Sequence, residues 1–318
     1  MKNIIRIGLI GLTPILVSFA ARAGAPSSAT LTEPLRVVTT LRDLGDIAKE
    51  IGGDRVSVQS MYTGKENTHA LTAKPSHLVA MSKADVFIQI GLSLETSFVP
   101  GLLEAARNPR IQPGAPGFVT VSAGWEALDV PRDLSRKAGD VHPQGNPHMN
   151  LDPRAGEFMA DRILDGLVAV DPAGESIYRS RHADYVKRVQ AAKARWDAMG
   201  AGWKGKKVVV YHKEYDYLAA YYGMEMDGNI EPKPGIAPTP NHVAELIDTM
   251  KRDHADAILT AIWSNNDTVA RIAEKTGVKA VEVPNMCGGL PGTDTWIGMM
   301  DVLHQRLAAV LGTGGGGQ

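Results

Sequence analysis

A single cysteine among 318 residues, Cys287, excludes an intramolecular disulfide framework and any zinc ribbon built on several thiolates. An excess of charge of one sign is missing too. Lys and Arg number 34 against 35 Asp and Glu, a formal net charge of −1. With no basic stripe along the chain, nothing is there to draw in nucleic acid. After residue 23 no apolar run approaches the ~20 residues that a membrane-spanning helix needs. The chain has no G-x-S-x-G, no H-E-x-x-H, and no G-x-G-x-x-G set between a strand and a helix. Residues 200–207 (GAGWKGKK) come near a phosphate loop, yet they end in Lys and precede a strand pattern instead of following one. What remains is 44% hydrophobic residues in a chain of two-lobe length, which is an ordinary globular composition.

The first residues differ from the rest. Lys2 and Arg6 make a short basic start, residues 7–20 are mostly apolar, and Ala21-Arg22-Ala23 has the small-x-small form of a cleavage site. That order is a secretory signal peptide, and Pro14 argues against a spanning anchor. Cleavage near Ala23 removes Lys2, Arg6 and Arg22 and no acidic residue, taking the charge from −1 to −4. No cysteine follows the apolar run, so a lipid anchor is not expected. The expected destination is the periplasm.

Downstream, β-rich runs alternate with helical patterns. Strands are expected at 36–40, 56–62, 85–90 and 118–122, with helices at 41–51, 74–83 and 94–107. Residues 124–147 read as a long loop rich in Gly, Pro and charge. Two long helices follow, 154–170 and 173–199, and the second, at about 38 Å, is long enough to join two lobes. The alternation resumes with strands at 207–211, 257–262 and 279–283 and helices at 214–222, 241–252, 266–276 and 293–311. This pattern predicts an α/β protein with two lobes, each a parallel sheet flanked by helices, joined by one long connecting helix. The expected divisions are a signal peptide at 1–23, an N-terminal lobe at 24–153, the helical connector at 154–200, a C-terminal lobe at 201–311 and a disordered tail at 312–318.

In open parallel sheets ligands bind beyond the carboxyl ends of the strands. Three of the nine histidines fall there: His69 in the loop after the second strand, His148 at the end of the 124–147 loop, and His212 directly after the strand at 207–211. Three neutral imidazoles and one further donor suit zinc, although copper, nickel and iron also accept imidazole. His77, His182, His242, His254 and His304 sit in helical or charged stretches and read as surface or capping residues.

Four stretches, THALTAKPSHL (68–78), GNPHMNLDP (145–153), VVYHKEYDYLAAYYG (209–223) and NIEPKPGIAPTPNHVAELI (229–247), resemble the solute-binding proteins of zinc and manganese ABC importers, the cluster A-I group. The resemblance covers roughly residues 35–311. It implies two α/β lobes on one long helix with the metal between them, and His69, His148 and His212 as ligands. The family's fourth ligand is usually an Asp or Glu near the end of the last strand. Here that stretch reads VEVPNMCGG (281–289), and Asn285 is the matching position. His142, Cys287 or a water are the alternatives, with Glu231 and Asp216 as more remote acidic candidates. The His-rich loop of zinc-importing members is essentially absent, since 124–147 holds His142 as its one histidine.

The resemblance implies a periplasmic, zinc-binding transport protein that hands its ion to an inner-membrane ABC permease. It would not be an enzyme, would act as a monomer and would not bind nucleic acid. Manganese (Mn2+) is the less favoured cargo for a nitrogen-rich donor set, and Zn2+ the favoured one. A periplasmic metallochaperone, as loader or as the protein's own role, is a second reading. A metal-dependent hydrolase, with Glu214 as its base, is a distant third.

Overall fold

The computed structural model describes residues 33–131, 142–233 and 235–313. The expected signal peptide and the last residues of the tail lie outside the described residues.

The first sheet is parallel throughout, with β1 (Leu35–Thr39), β2 (Val56–Ser60), β3 (Val86–Gln89) and β4 (Phe118–Thr120) in the order β2-β1-β3-β4. Its crossovers carry α1 (Arg42–Gly52), α2 (Pro75–Lys83) and α3 (Val99–Ala106). Two long helices follow, α4 (Ala155–Val170) and α5 (Glu175–Gly200). The second sheet repeats the first topology. Its strands β5 (Lys207–Val210), β6 (Glu225–Asn229), β7 (Ala257–Thr260) and β8 (Ala280–Glu282) run parallel in the order β6-β5-β7-β8. Helices α6 (Asp216–Tyr222), α7 (Pro240–Asp253), α8 (Asn266–Thr276) and α9 (Trp296–Leu311) complete this half. The expected two-sheet α/β architecture is therefore observed.

Helix α5 shows why one helix can serve both halves. Its buried residues Tyr178, Tyr185, Val189, Ala192 and Trp196 recur at helical spacing and form a single stripe. The stripe packs on α1 and α4 and on α9. Twenty-six residues at 1.5 Å per residue make the helix about 39 Å long. The apolar core does not stop at the lobe boundary. One contiguous cluster runs from Val37 and Phe87 through Trp196 to Val208, Val210, Trp296 and Leu307. Along β5 the pleat alternates, so Val209 faces the other way, into a smaller cluster with Ile258 and Ile272.

Several elements differ from expectation. Helix α3 begins at Val99, not 94, because Phe98 departs from helical backbone (φ −136°) and separates the helix from the turns before it. Strand β6 was not expected at all: its sequence, EMDGN, has no β-branched residue and contains a glycine beside a register shift. Helix α9 packs on β8 of its own sheet and also on α5 and α1, so the end of the C-terminal half is tied to the N-terminal half.

Candidate metal centre

Each of the three histidines is held by its own loop. The His69 loop follows β2 and is folded on itself: the backbone N–H groups of Thr63, Gly64 and Lys65 all donate to Glu66 Oε2, and His69 N–H donates to Asn67 Oδ1 at 2.9 Å. Tyr62 Oη donates to Thr68 O at 2.6 Å and pins the residue before the histidine. His148 N–H donates to Asn146 Oδ1 at 3.0 Å. His212 lies just beyond β5, where Tyr211 N–H still donates to Leu259 O of β7 and continues the ladder.

Asn146 ties two of these loops across the cleft. Its Nδ2 donates to Lys213 O at 3.0 Å, next to His212, and its own carbonyl accepts from Tyr217 Oη at 2.7 Å. His148 and His212, 64 positions apart in sequence, are thus spaced by hydrogen bonds rather than by side-chain packing alone.

The result is a convergence of ring nitrogens. His69 Nε2 lies 3.1 Å from His148 Nε2 and 3.0 Å from His212 Nε2. All three donor atoms lie within 4.8 Å of one another. Bonds of about 2.0–2.1 Å from a tetrahedral zinc would set ligand nitrogens roughly 3.3–3.4 Å apart, so two of the three spacings are already close to what the ion requires. Burial and the neighbouring imidazoles push the His69 pKa down to about 2. The same causes hold His148 well below its ordinary value. Both rings therefore offer neutral lone pairs.

His212 takes its tautomer from Glu231. Glu231 Oε2 can only accept, so the 2.8 Å contact places the proton on His212 Nδ1 and leaves the Nε2 lone pair facing the other two rings. Glu231 stands just after β6, the strand that the sequence pattern did not show. In sequence it lies within the resemblance-bearing stretch 229–247 and was read as a remote acidic ligand candidate, not as a partner of His212. Beside the histidines a cavity of about 400 Å³ opens, with His142, His148, His212, Lys213 and Glu231 among its lining residues.

The remaining candidates are placed as follows. Asn285 is buried beyond β8; its Nδ2 donates to Glu214 Oε1 at 3.0 Å and its carbonyl accepts from Asn150 Nδ2 at 3.0 Å. Glu214 Oε1 also accepts from Trp263 Nε1 at 3.1 Å, and burial pushes this carboxyl up to about 7 against the pull of His212 and both donors. The ring of His142 lies 4.9 Å from that of His69, and its Nδ1 faces Ser93 O at 3.3 Å. Cys287 is buried against α1, where its N–H donates to Asp43 Oδ2, and burial raises its thiol pKa far above the usual range. Asp216 opens α6 beside Lys213. Among the described residues, the histidines, cysteines and carboxylates that converge closely enough to share an ion are His69, His148 and His212; His142, Cys287, Glu231 and Asp216 are not in that group.

Of the five histidines read as surface or capping residues, His304 requires correction. It is fully buried, sandwiched between Trp196 (5.1 Å) and Trp203 (5.9 Å), and bonded to Met300 O and Tyr222 Oη. His77 does cap its helix, accepting from Lys74 N–H through Nδ1.

Residues 37–310 match the family described as ZnuA, zinc-uptake complex component A, periplasmic. The chain belongs to this family. Among its relatives are the manganese-binding lipoprotein MntA of Halalkalibacterium halodurans, 27% identical over 90% of this chain and 92% of that protein. The high-affinity zinc uptake system protein ZnuA of Bacillus subtilis is 22% identical over 93% of each chain. A crystal structure of ZnuA matches with a TM-score of 0.72 at 20% identity, covering 87% of this chain and 99% of that one, and shows the same fold. Membership in the ZnuA family makes this protein the metal-binding component of an ABC importer and not an enzyme. Its relatives bind zinc or manganese. MntA is named a lipoprotein, against the expectation of an unanchored protein, and the leader that bears on this lies outside the described residues.

Proposed function

We propose that the protein captures zinc in the periplasm through His69, His148, His212 and the Oδ1 of Asn285, and delivers it to an inner-membrane permease. The observation that carries this reading is the convergence of three Nε2 atoms, two pairs of them 3.0–3.1 Å apart. A nitrogen-rich set favours zinc over manganese, whose harder ion prefers oxygen. Asn285 is supported as the fourth donor by its buried Oδ1, which has no hydrogen-bond partner. The hydrolytic alternative is set aside by membership in a family of non-enzymatic metal-binding importer components. We read residues 24–153 and 201–311 as the two lobes and 154–200 as their connector, with the protein acting as a monomer that a metallochaperone can load.

With ligands drawn from both halves, an ion bridges the lobes, and the permease can distinguish loaded from empty protein only through contacts that differ between them. The continuous core implies that this difference is confined to the loops around the site. Metal analysis of untagged protein, followed by chelator competition with Zn2+ and Mn2+, tests the reading. One tightly held zinc per chain is expected. No tight metal, or manganese held in preference to zinc, would overturn it.

Glu231→Ala should weaken zinc binding by about 10–100-fold, because the imidazole of His212 then loses the partner that sets its tautomer. The same titration checks this, and affinity equal to the native protein's would remove Glu231 from the site.

A further inference from the structure

Two carboxylates stand behind the metal centre and reach it by different routes. Glu231 accepts from His212 Nδ1. Glu214, 1% exposed, accepts on one oxygen from both Trp263 Nε1 and Asn285 Nδ2. Asn285 is 2% exposed and is suspended between two histidine-bearing loops. Its carbonyl is held by Asn150, two residues after His148, and its side-chain nitrogen by Glu214, two residues after His212. Of its side-chain polar atoms, Oδ1 is the one left without a partner.

A carboxylate decides which way a neighbouring amide turns. The NH2 group donates to it, whereas the reverse orientation would set two acceptor oxygens against each other. Glu214 therefore directs Oδ1 away from itself. Charge points the same way. Three imidazoles and an amide are all neutral, and a divalent ion among buried neutral donors is costly unless negative charge lies close by.

We infer that Glu214 is a positioning and charge-balancing residue of this centre. It holds Asn285 by the nitrogen so that Oδ1 faces the ion, and it balances the ion's charge from behind that amide as Glu231 does from behind His212. The inference rests on the metal-binding reading above. The chemistry it assigns is a site whose negative charge lies one residue back from the ion instead of on a coordinated carboxylate.

The test compares the native protein with E214Q, N285D and E214Q/N285D by zinc titration against a chelator. Cobalt (Co2+) absorption reports the ligand set, and thermal unfolding of the metal-free proteins reports the fold. E214Q is expected to weaken zinc binding about 10–100-fold. N285D alone should also weaken it, because a second carboxylate replaces an amide held 3.0 Å from the first. The double variant should bind more tightly than either single one, since the carboxylate introduced at position 285 then carries the charge directly. Its cobalt spectrum should shift from the native one. Residues that serve only packing would instead lose affinity further in the double variant.

E214Q binding zinc as tightly as the native protein, or a double variant no tighter than E214Q, overturns the inference. Should E214Q not fold, the comparison of the double variant with N285D decides in the same way. Native protein that takes up no zinc would overturn the metal-binding reading as well, so the two failures are distinct.

Discussion

His212→Ala is expected to weaken zinc binding by well over about 100-fold, beyond the upper range for loss of an outer partner. Two effects combine. One of the three converging nitrogens disappears, and it is the one contributed by the C-terminal half, which is then left with the Asn285 amide oxygen as its hold on the ion. Glu231 is also left as a largely buried carboxylate without the ring that occupied it, and an orphaned charge of this kind is costly. Chelator competition measures the loss. His254→Asn serves as control, because His254 ends α7 in left-handed backbone that Asn tolerates and lies outside the converging group. A titration of His212→Ala that matches the native protein would remove His212 from the site.

Trp296→Ala should destabilise the metal-free protein by about 3–5 kcal/mol, the range for truncating a buried tryptophan. At this chain length that lowers the unfolding midpoint by roughly 6–15 °C. The indole is fully buried at the start of α9 and joins parts of the chain far apart in sequence. Its Nε1 donates to Asn150 O at 2.9 Å, its backbone N–H donates to Asp46 Oδ2 at 2.7 Å, and its ring packs edge-on against Trp196 of α5 at 5.7 Å. Gly156 of α4 is glycine for the same reason, because a Cβ there would lie 2.2 Å from the Trp296 ring. Saturating zinc should raise the midpoints of the variant and of the native protein alike, as expected if the ion binds the folded chain. An unfolding midpoint within about 2 °C of native would show that α9 contributes little to joining the halves.

The two predictions differ in how far the sequence reached toward them. His69, His148 and His212 were legible because each falls in a loop or at a strand end on the side where parallel sheets bind ligands, and strands and helices are written in local periodicity. The motifs around them carried the family, and with it the cargo class. Trp296 offered no such signal: a tryptophan at the start of an amphipathic helix looks the same whether it packs on its own sheet or on the opposite half. His304 was misread for a related reason. Its neighbours along α9 resemble a half-exposed helix, and only the approach of Trp196 and Trp203 encloses the ring.

By itself the sequence determined the alternation of strands and helices, the single long connector, the positions of the three histidines and membership in a metal-binding family. These are short-range properties, set by hydrophobic period, turn residues and motif spacing along neighbouring stretches of chain. The tertiary structure alone decided that three nitrogens from loops up to 143 positions apart meet within 4.8 Å. It also decided that Glu231 sets the tautomer of His212 and that Glu214, 71 positions from Asn285, holds that amide. Contacts of this range leave no periodic trace, because each depends on how separately formed elements pack. The strand that carries Glu231 to its place, with no β-branched residue of its own, is formed by pairing with β5 and not by its local preference.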